Sequence, residues 1–81
     1  MNPDSLHQDR IIEIIANELC YPTAQITPEA KIAEDLNTDS LDRLELLMAL
    51  EEELQIEITD EQAGDMKTVK DIIDLTRSLL P

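Results

Sequence analysis

Three stretches of the chain space their apolar residues three and four apart, and the longest segment between them carries prolines that no helix interior accepts. Ile11, Ile12, Ile15 and Leu19 form the first stripe, behind Ser5 and Gln8 in capping-box arrangement, which predicts a helix over residues 5–20. Leu46, Leu47, Leu50 and Leu54 mark a second helix, starting near Asp39 or Ser40 and ending near Leu54, with acids in the first turn that suit its positive dipole end. Val69, Ile72, Ile73, Thr76 and Leu80 mark a third, with Thr68 as its cap and Arg77 near its negative end. Thr59 with Gln62 repeats the capping box, but Gly64 stops that helix early.

Between the first two stripes lies YPTAQITPEAKIAEDLNT, where Pro22 and Pro28 interrupt any helix and Ile26, Ile32 and Leu36 supply scattered apolar anchors. A connection this long crosses over a bundle or serves a function, and the anchors predict that it packs down. The alternation in LQIEIT looks strand-like, but a single short strand has no evident partner, so it reads as extended loop. With 81 residues there is room for one small core. The expected fold class is all-α: a small four-helix bundle, three longer helices plus one short, with a long loop between helices one and two, in one domain over 1–81.

A formal net charge of -13 with 42% hydrophobic residues describes a chain that folds yet repels phosphates, so nucleic acid and anionic membrane surfaces are poor partners and basic protein surfaces good ones. Cys20, the single cysteine, allows no internal disulfide, and with His7 as the only other soft ligand no ordinary zinc site. Cys20 falls at a helix end, where a small packing role is expected. The start MNPDSLHQDR has neither the basic nor the apolar stretch of an export signal, and no run approaches the roughly 18 apolar residues of a membrane span. The expectation is a complete, unanchored, cytoplasmic protein without membrane insertion.

Helix two carries two apolar faces. On a wheel of about 100° per residue with Leu46 at zero, Leu50, Leu54 and Leu47 fall at about 40°, about 80° and about 100°, the core stripe. Leu44, Met48 and Leu41 fall at about 160°, about 200° and about 220°, flanked by Glu51 on one side and by Glu52 and Glu45 on the other. These three either widen the core or form a docking strip rimmed by charge. Residues 34–65 hold twelve acids against one cation, Arg43, so that most of the net negative charge gathers around this helix. Such concentration is costly through self-repulsion, and its physical use is to steer a basic partner, which favours the docking strip.

The segment EDLNTDSLDRLE invites two chemical readings. Asp35, Asn37 and Asp39 fill the first alternate positions of a calcium loop, but Ser40 stands where that loop needs Gly and Leu46 where it needs a bidentate Glu. No metal site is expected. Nucleophilic catalysis by Ser40 needs a base within reach, and His7, in the first turn of helix one, reads as exposed or capping. Asp39 and Asp42 are better explained as caps than as bases. With no glycine-rich phosphate loop and no paired-carboxylate pocket, an independent enzyme is not expected. The role left for Ser40 is to accept a group transferred by another enzyme.

The segment EDLNTDSLDRLELLMALEEEL resembles the acyl carrier protein family, whose attachment motif is Asp-Ser-Leu at the start of an acidic second helix. The resemblance extends through ITPEAKIAEDL, EITDEQA and TVKDIIDL and so covers nearly the whole chain. It implies that Ser40 receives 4′-phosphopantetheine from coenzyme A through a separate phosphopantetheinyl transferase, the arm's thiol then carrying acyl thioesters. Asp39, Leu41, Asp42, Leu44, Glu45, Met48, Glu51 and Glu52 match the family's partner-recognition surface. Leu46, Leu47, Leu50, Ile58, Ala63, Met66, Ile72 and Leu75 match an interior that can sequester an acyl chain.

Two residues depart from the pattern. Asn37 stands where the family usually has Gly, and Asn tolerates left-handed backbone better than most residues. Arg43 puts a cation at about 60° on the wheel, at the core edge, where its stem packs and its head reaches solvent. The reading is a free-standing, monomeric, non-catalytic carrier for fatty-acid or related acyl-chain synthesis, working with acyl-processing enzymes that present basic docking patches. The rivals are a carrier for polyketide, modified-lipid or D-alanyl transfer, and an unmodified acidic helical adaptor.

Overall fold

The computed structural model describes residues 3–80. Helix α1 spans Pro3–Leu19, α2 Ser40–Leu54, α3 Asp60–Gly64 and α4 Val69–Leu79, and no strand forms among the described residues. This is the expected all-α bundle of three longer helices and one short. One boundary is corrected: α1 already includes Pro3, so Ser5 lies within the helix rather than at its cap. Proline is tolerated in a first turn because its missing amide proton has no helical acceptor there.

Helix α1 is the hub. It buries Ile11, Ile14, Ile15 and Ala16 and packs against both α2 and α4. Helix α2 contributes Leu46, Leu50 and Leu54, and α4 contributes Val69, Ile72, Ile73 and Thr76. His7, expected to be exposed or capping, is half-buried and joins two helices. Its Nε2 lies 2.9 Å from Thr76 Oγ1 and 3.1 Å from the Ile73 carbonyl. Because the Thr76 hydroxyl donates to the Ile72 carbonyl at 2.7 Å, the Nε2 proton is left to bind α1 to α4.

The long connection packs down as its anchors predict. Ile26, Ile32 and Leu36 are buried, with one 3-10 turn at Thr23–Gln25 between the prolines. The loop also closes the start of α4: the Ala30 carbonyl accepts from the Val69 amide at 3.0 Å and the Pro28 carbonyl from the Lys70 amide at 2.9 Å. Those amides are two of the four that every helix start leaves without an internal partner. In return the Ile32 amide donates to the Lys67 carbonyl at 2.9 Å, forming an isolated antiparallel bridge between Lys31 and Thr68.

Helix ends follow local chemistry. Reciprocal capping boxes open α2 (Asp39 with Asp42), α3 (Thr59 with Gln62) and α4 (Thr68 with Asp71). At the far end of α2, Arg10 Nη2 donates to the Glu53 carbonyl at 2.8 Å, which places a cation at the negative end of the dipole. Residues 56–59 form a loop with no strand pairing, as read from LQIEIT, with Ile58 buried and its amide held by Glu51 Oε2 at 3.1 Å.

Candidate functional site

The turn before α2 is built to present a serine. Asn37 takes left-handed backbone at φ 51°, a conformation that Asn tolerates better than most non-glycine residues. Thr38 then ties the turn down, its hydroxyl donating to the Ile32 carbonyl at 2.8 Å. Asp39 Oδ1 accepts from the Asp42 amide at 2.9 Å, and Asp42 Oδ2 from the Asp39 amide at 3.1 Å. Ser40, the first residue of α2, is exposed, and its hydroxyl has no hydrogen-bond partner among the described residues.

Beside Ser40 opens a cleft of about 800 Å³, bounded by the Lys31–Glu34 turn, α2, α3 and the start of α4. Its position follows from the packing: α2 and α4 both lean on α1, and the gap between them is filled only by the short α3 and the loop. Leu46, Leu47, Ala63, Met66 and Ile72 line it, and Ser40, Arg43 and Lys67 stand on its wall. Leu50, Ile58 and Leu75 do not line the cleft: Leu50 and Ile58 are buried in the core, with Leu75 packed against it. Sequence reasoning missed Ile32 and Ala33, which line it from the loop. For Ile32 the only signal was the apolar anchor pattern, which marks burial but not which cavity it faces, and Ala33, exposed and outside that pattern, had none.

Leu41, Leu44 and Met48 on α2 are 61%, 51% and 58% exposed, so they do not widen the core. Leu44 also reaches the cleft wall. Glu45 and Glu52 are exposed beside this strip, whereas Glu51 is half-buried and holds the Ile58 amide. At the start of α4, Asp71 accepts from the amides of Thr68 at 3.0 Å and Lys67 at 3.1 Å. The Thr68 amide bond is the chief cause holding its carboxyl below the usual aspartate range. Partial burial opposes it, while the Lys67 amide, the Thr68 hydroxyl and the Lys67 charge add to it.

The carboxylates of the apparent calcium motif are turned to other tasks. Asp35 Oδ2 accepts from the Lys31 amide at 2.9 Å and Asp39 caps α2, and no group of three metal-ligating side chains converges among the described residues. Nor is any helix among them long and apolar enough to cross a membrane.

A family profile described as "Phosphopantetheine attachment site" matches residues 9–76. The chain is 49% identical over 73 residues to the acyl carrier protein of Thermosynechococcus vestitus, covering 85% of this chain and 90% of that one. It is 54% identical over 67 residues to the acyl carrier protein of Syntrophobacter fumaroxidans, covering 83% of each. The chain belongs to the acyl carrier protein family. Like other acyl carrier proteins it bears acyl groups as thioesters on a 4′-phosphopantetheine arm. Its surface fits such an arm: an unengaged hydroxyl on a rigid helix start, an apolar cleft alongside and a guanidinium on the cleft wall.

Proposed function

We propose that Ser40 is the attachment residue and that the protein is a non-catalytic carrier in fatty-acid or related acyl-chain synthesis. The observation that carries this is the exposed, unengaged Ser40 hydroxyl at the mouth of the apolar cleft. When attached, the arm supplies a thiol on which acyl groups travel. The chain's own residues do the remaining work. Asp39 and Asp42 fix the first turn of α2 so that Ser40 projects from a rigid element, and Leu46, Leu47, Met66 and Ile72 offer apolar surface that excludes water. His7 is committed to Thr76 and Ile73, which supports a serine that is modified rather than one that attacks.

Leu41, Leu44 and Met48 with Asp39, Asp42, Glu45 and Glu52 form the proposed docking surface for the transferase and the acyl-processing enzymes. Glu51 contributes through the carboxylate oxygen that does not hold the Ile58 amide. A net charge of -13 opposes self-association, in keeping with a cytoplasmic monomer.

Incubation with coenzyme A and a broad-specificity phosphopantetheinyl transferase, followed by intact-mass measurement, tests the assignment. A mass gain of one arm is expected, absent in Ser40→Ala. No gain, or a gain that survives in Ser40→Ala, refutes it. Because docking is through acidic groups, transferase affinity is expected to fall as salt rises, and a salt-independent affinity would exclude electrostatic docking.

A further inference from the structure

Arg43 is the one cation among residues 34–65, and helix stability does not account for it. It sits at the end of the first turn of α2, near the positive end of the dipole, where a cation is unfavourable. Nor does it pair with its acidic neighbours: the capping box engages Asp39 and Asp42, and among the described residues Arg43 forms no ion pair. One guanidinium nitrogen, Nη1, donates to the Thr38 carbonyl at 3.1 Å, which draws the head back toward the serine turn. Both Ser40 and Arg43 stand on the wall of the same cleft.

We propose that Arg43 binds the phosphodiester of the arm carried on Ser40 and turns the arm across the mouth of the cleft, an inference that rests on Ser40 being the attachment residue. Residues three apart on a helix are surface neighbours, with Cβ atoms about 5–6 Å apart, so a phosphate on Ser40 Oγ comes within reach of the guanidinium. With five N–H donors in a planar fork, Arg43 can keep its bond to Thr38 and still give a charge-assisted pair to two phosphate oxygens. The other cations on the cleft wall are less available. Lys31 pairs with Glu34 at 3.6 Å, and Lys67 faces the Asp71 carboxylate electrostatically. Arg43 is thus a positioning residue that biases the arm toward the apolar cleft and away from solvent, at the cost of competing with partners that present their own cations to the phosphate.

The test uses wild type, Arg43→Ala, Arg43→Lys and, as a charge-matched control outside the cleft, Lys70→Ala. Each is loaded with coenzyme A and transferase and verified by intact mass, then studied by phosphorus and proton NMR and by melting of apo and loaded forms. In wild type, nuclear Overhauser contacts are expected between the arm's methyl groups and the side chains of Leu47 and Met66. In Arg43→Ala these contacts are expected to vanish, the phosphorus resonance to move toward that of a free phosphodiester, and the rise in Tm on loading to shrink by about 4 °C. Arg43→Lys, which keeps charge but not the fork, is expected to fall between, and Lys70→Ala to behave as wild type. Should Arg43→Ala not fold, Arg43→Lys decides by the same readouts. Normal loading with the resonance and contacts unchanged across the Arg43 variants overturns this inference alone. Failure of wild type to load overturns the attachment reading as well.

Discussion

Among the described residues three that are not glycine hold left-handed backbone, Cys20 at φ 61°, Asn37 at 51° and Gln55 at 55°, while the single glycine, Gly64, does not. Cys20 closes α1, with the Tyr21 amide reaching back to the Ala16 carbonyl at 3.0 Å, and Gln55 closes α2 with the Ile56 amide on the Glu51 carbonyl at 3.2 Å. The packing role expected of Cys20 is therefore corrected: it is exposed, held at a helix end by backbone geometry. A left-handed L-residue costs roughly 1–2 kcal/mol, more than the roughly 0.4–1 kcal/mol of unfolded-state freedom that a glycine adds. Cys20→Gly is thus expected to stabilise the fold and raise Tm by about 4 °C in a thermal melt. Gln55→Gly is expected to gain less, because the Gln55 side-chain amide donates to the Glu52 carbonyl at 2.7 Å and that bond is lost. A lower Tm for Cys20→Gly would contradict this account of the α1 end.

Among the elements, the junction of the long loop with α4 has a pH-dependent part. Asp71 holds the amides of Lys67 and Thr68 next to the bridge that Ile32 makes to the Lys67 carbonyl. Its carboxyl is held below the usual range in the folded chain. On acidification the unfolded chain therefore takes up this proton first, and the stabilisation is whole above the usual aspartate value and lost as pH falls through the lowered one. Asp71→Ala is expected to destabilise by about 1 kcal/mol at neutral pH. Urea titrations should show the gap to wild type narrowing below about pH 4. A gap that stays constant down to about pH 2 would mean that charge at Asp71 plays no part.

For the whole molecule, packing both long helices on α1 buries one face of α2 and leaves its other face and the α2–α4 gap open. The loop supplies the missing wall. Ile32, 2% exposed, fills the core beside the cleft, so Ile32→Ala is expected to cost about 2–5 kcal/mol in urea unfolding. Leu41, 61% exposed, is expected to tolerate alanine within about 0.5 kcal/mol while slowing transfer of the arm to Ser40. If Leu41→Ala loads at the wild-type rate, the strip is not part of that docking surface.

Much of this was determined by the sequence itself. Helical spacing, prolines and capping residues are local, since each depends on residues within a turn or two, and so helix number, the start of α2, the Thr59–Gln62 box and the Thr68 cap were legible, whereas the Ser5–Gln8 pattern misplaced the start of α1 and the Asp71 half of the α4 box went unread. The second apolar face of α2 was legible too, because Leu41, Leu44 and Met48 fall opposite the core stripe on one wheel. What lay in contacts distant along the chain was not. His7 meets Thr76, Arg10 meets Glu53, and the turn at Ala30 to Ile32 meets the start of α4, and no periodicity reports such pairings. The cleft is of this kind. Leu46 and Leu50 are alike on the wheel, yet only Leu46 lines it, because cavity walls depend on where neighbouring helices diverge. Ser40 could be singled out from the residues around it, but only the tertiary structure decided that it stands beside an apolar cleft with Arg43 on the same wall.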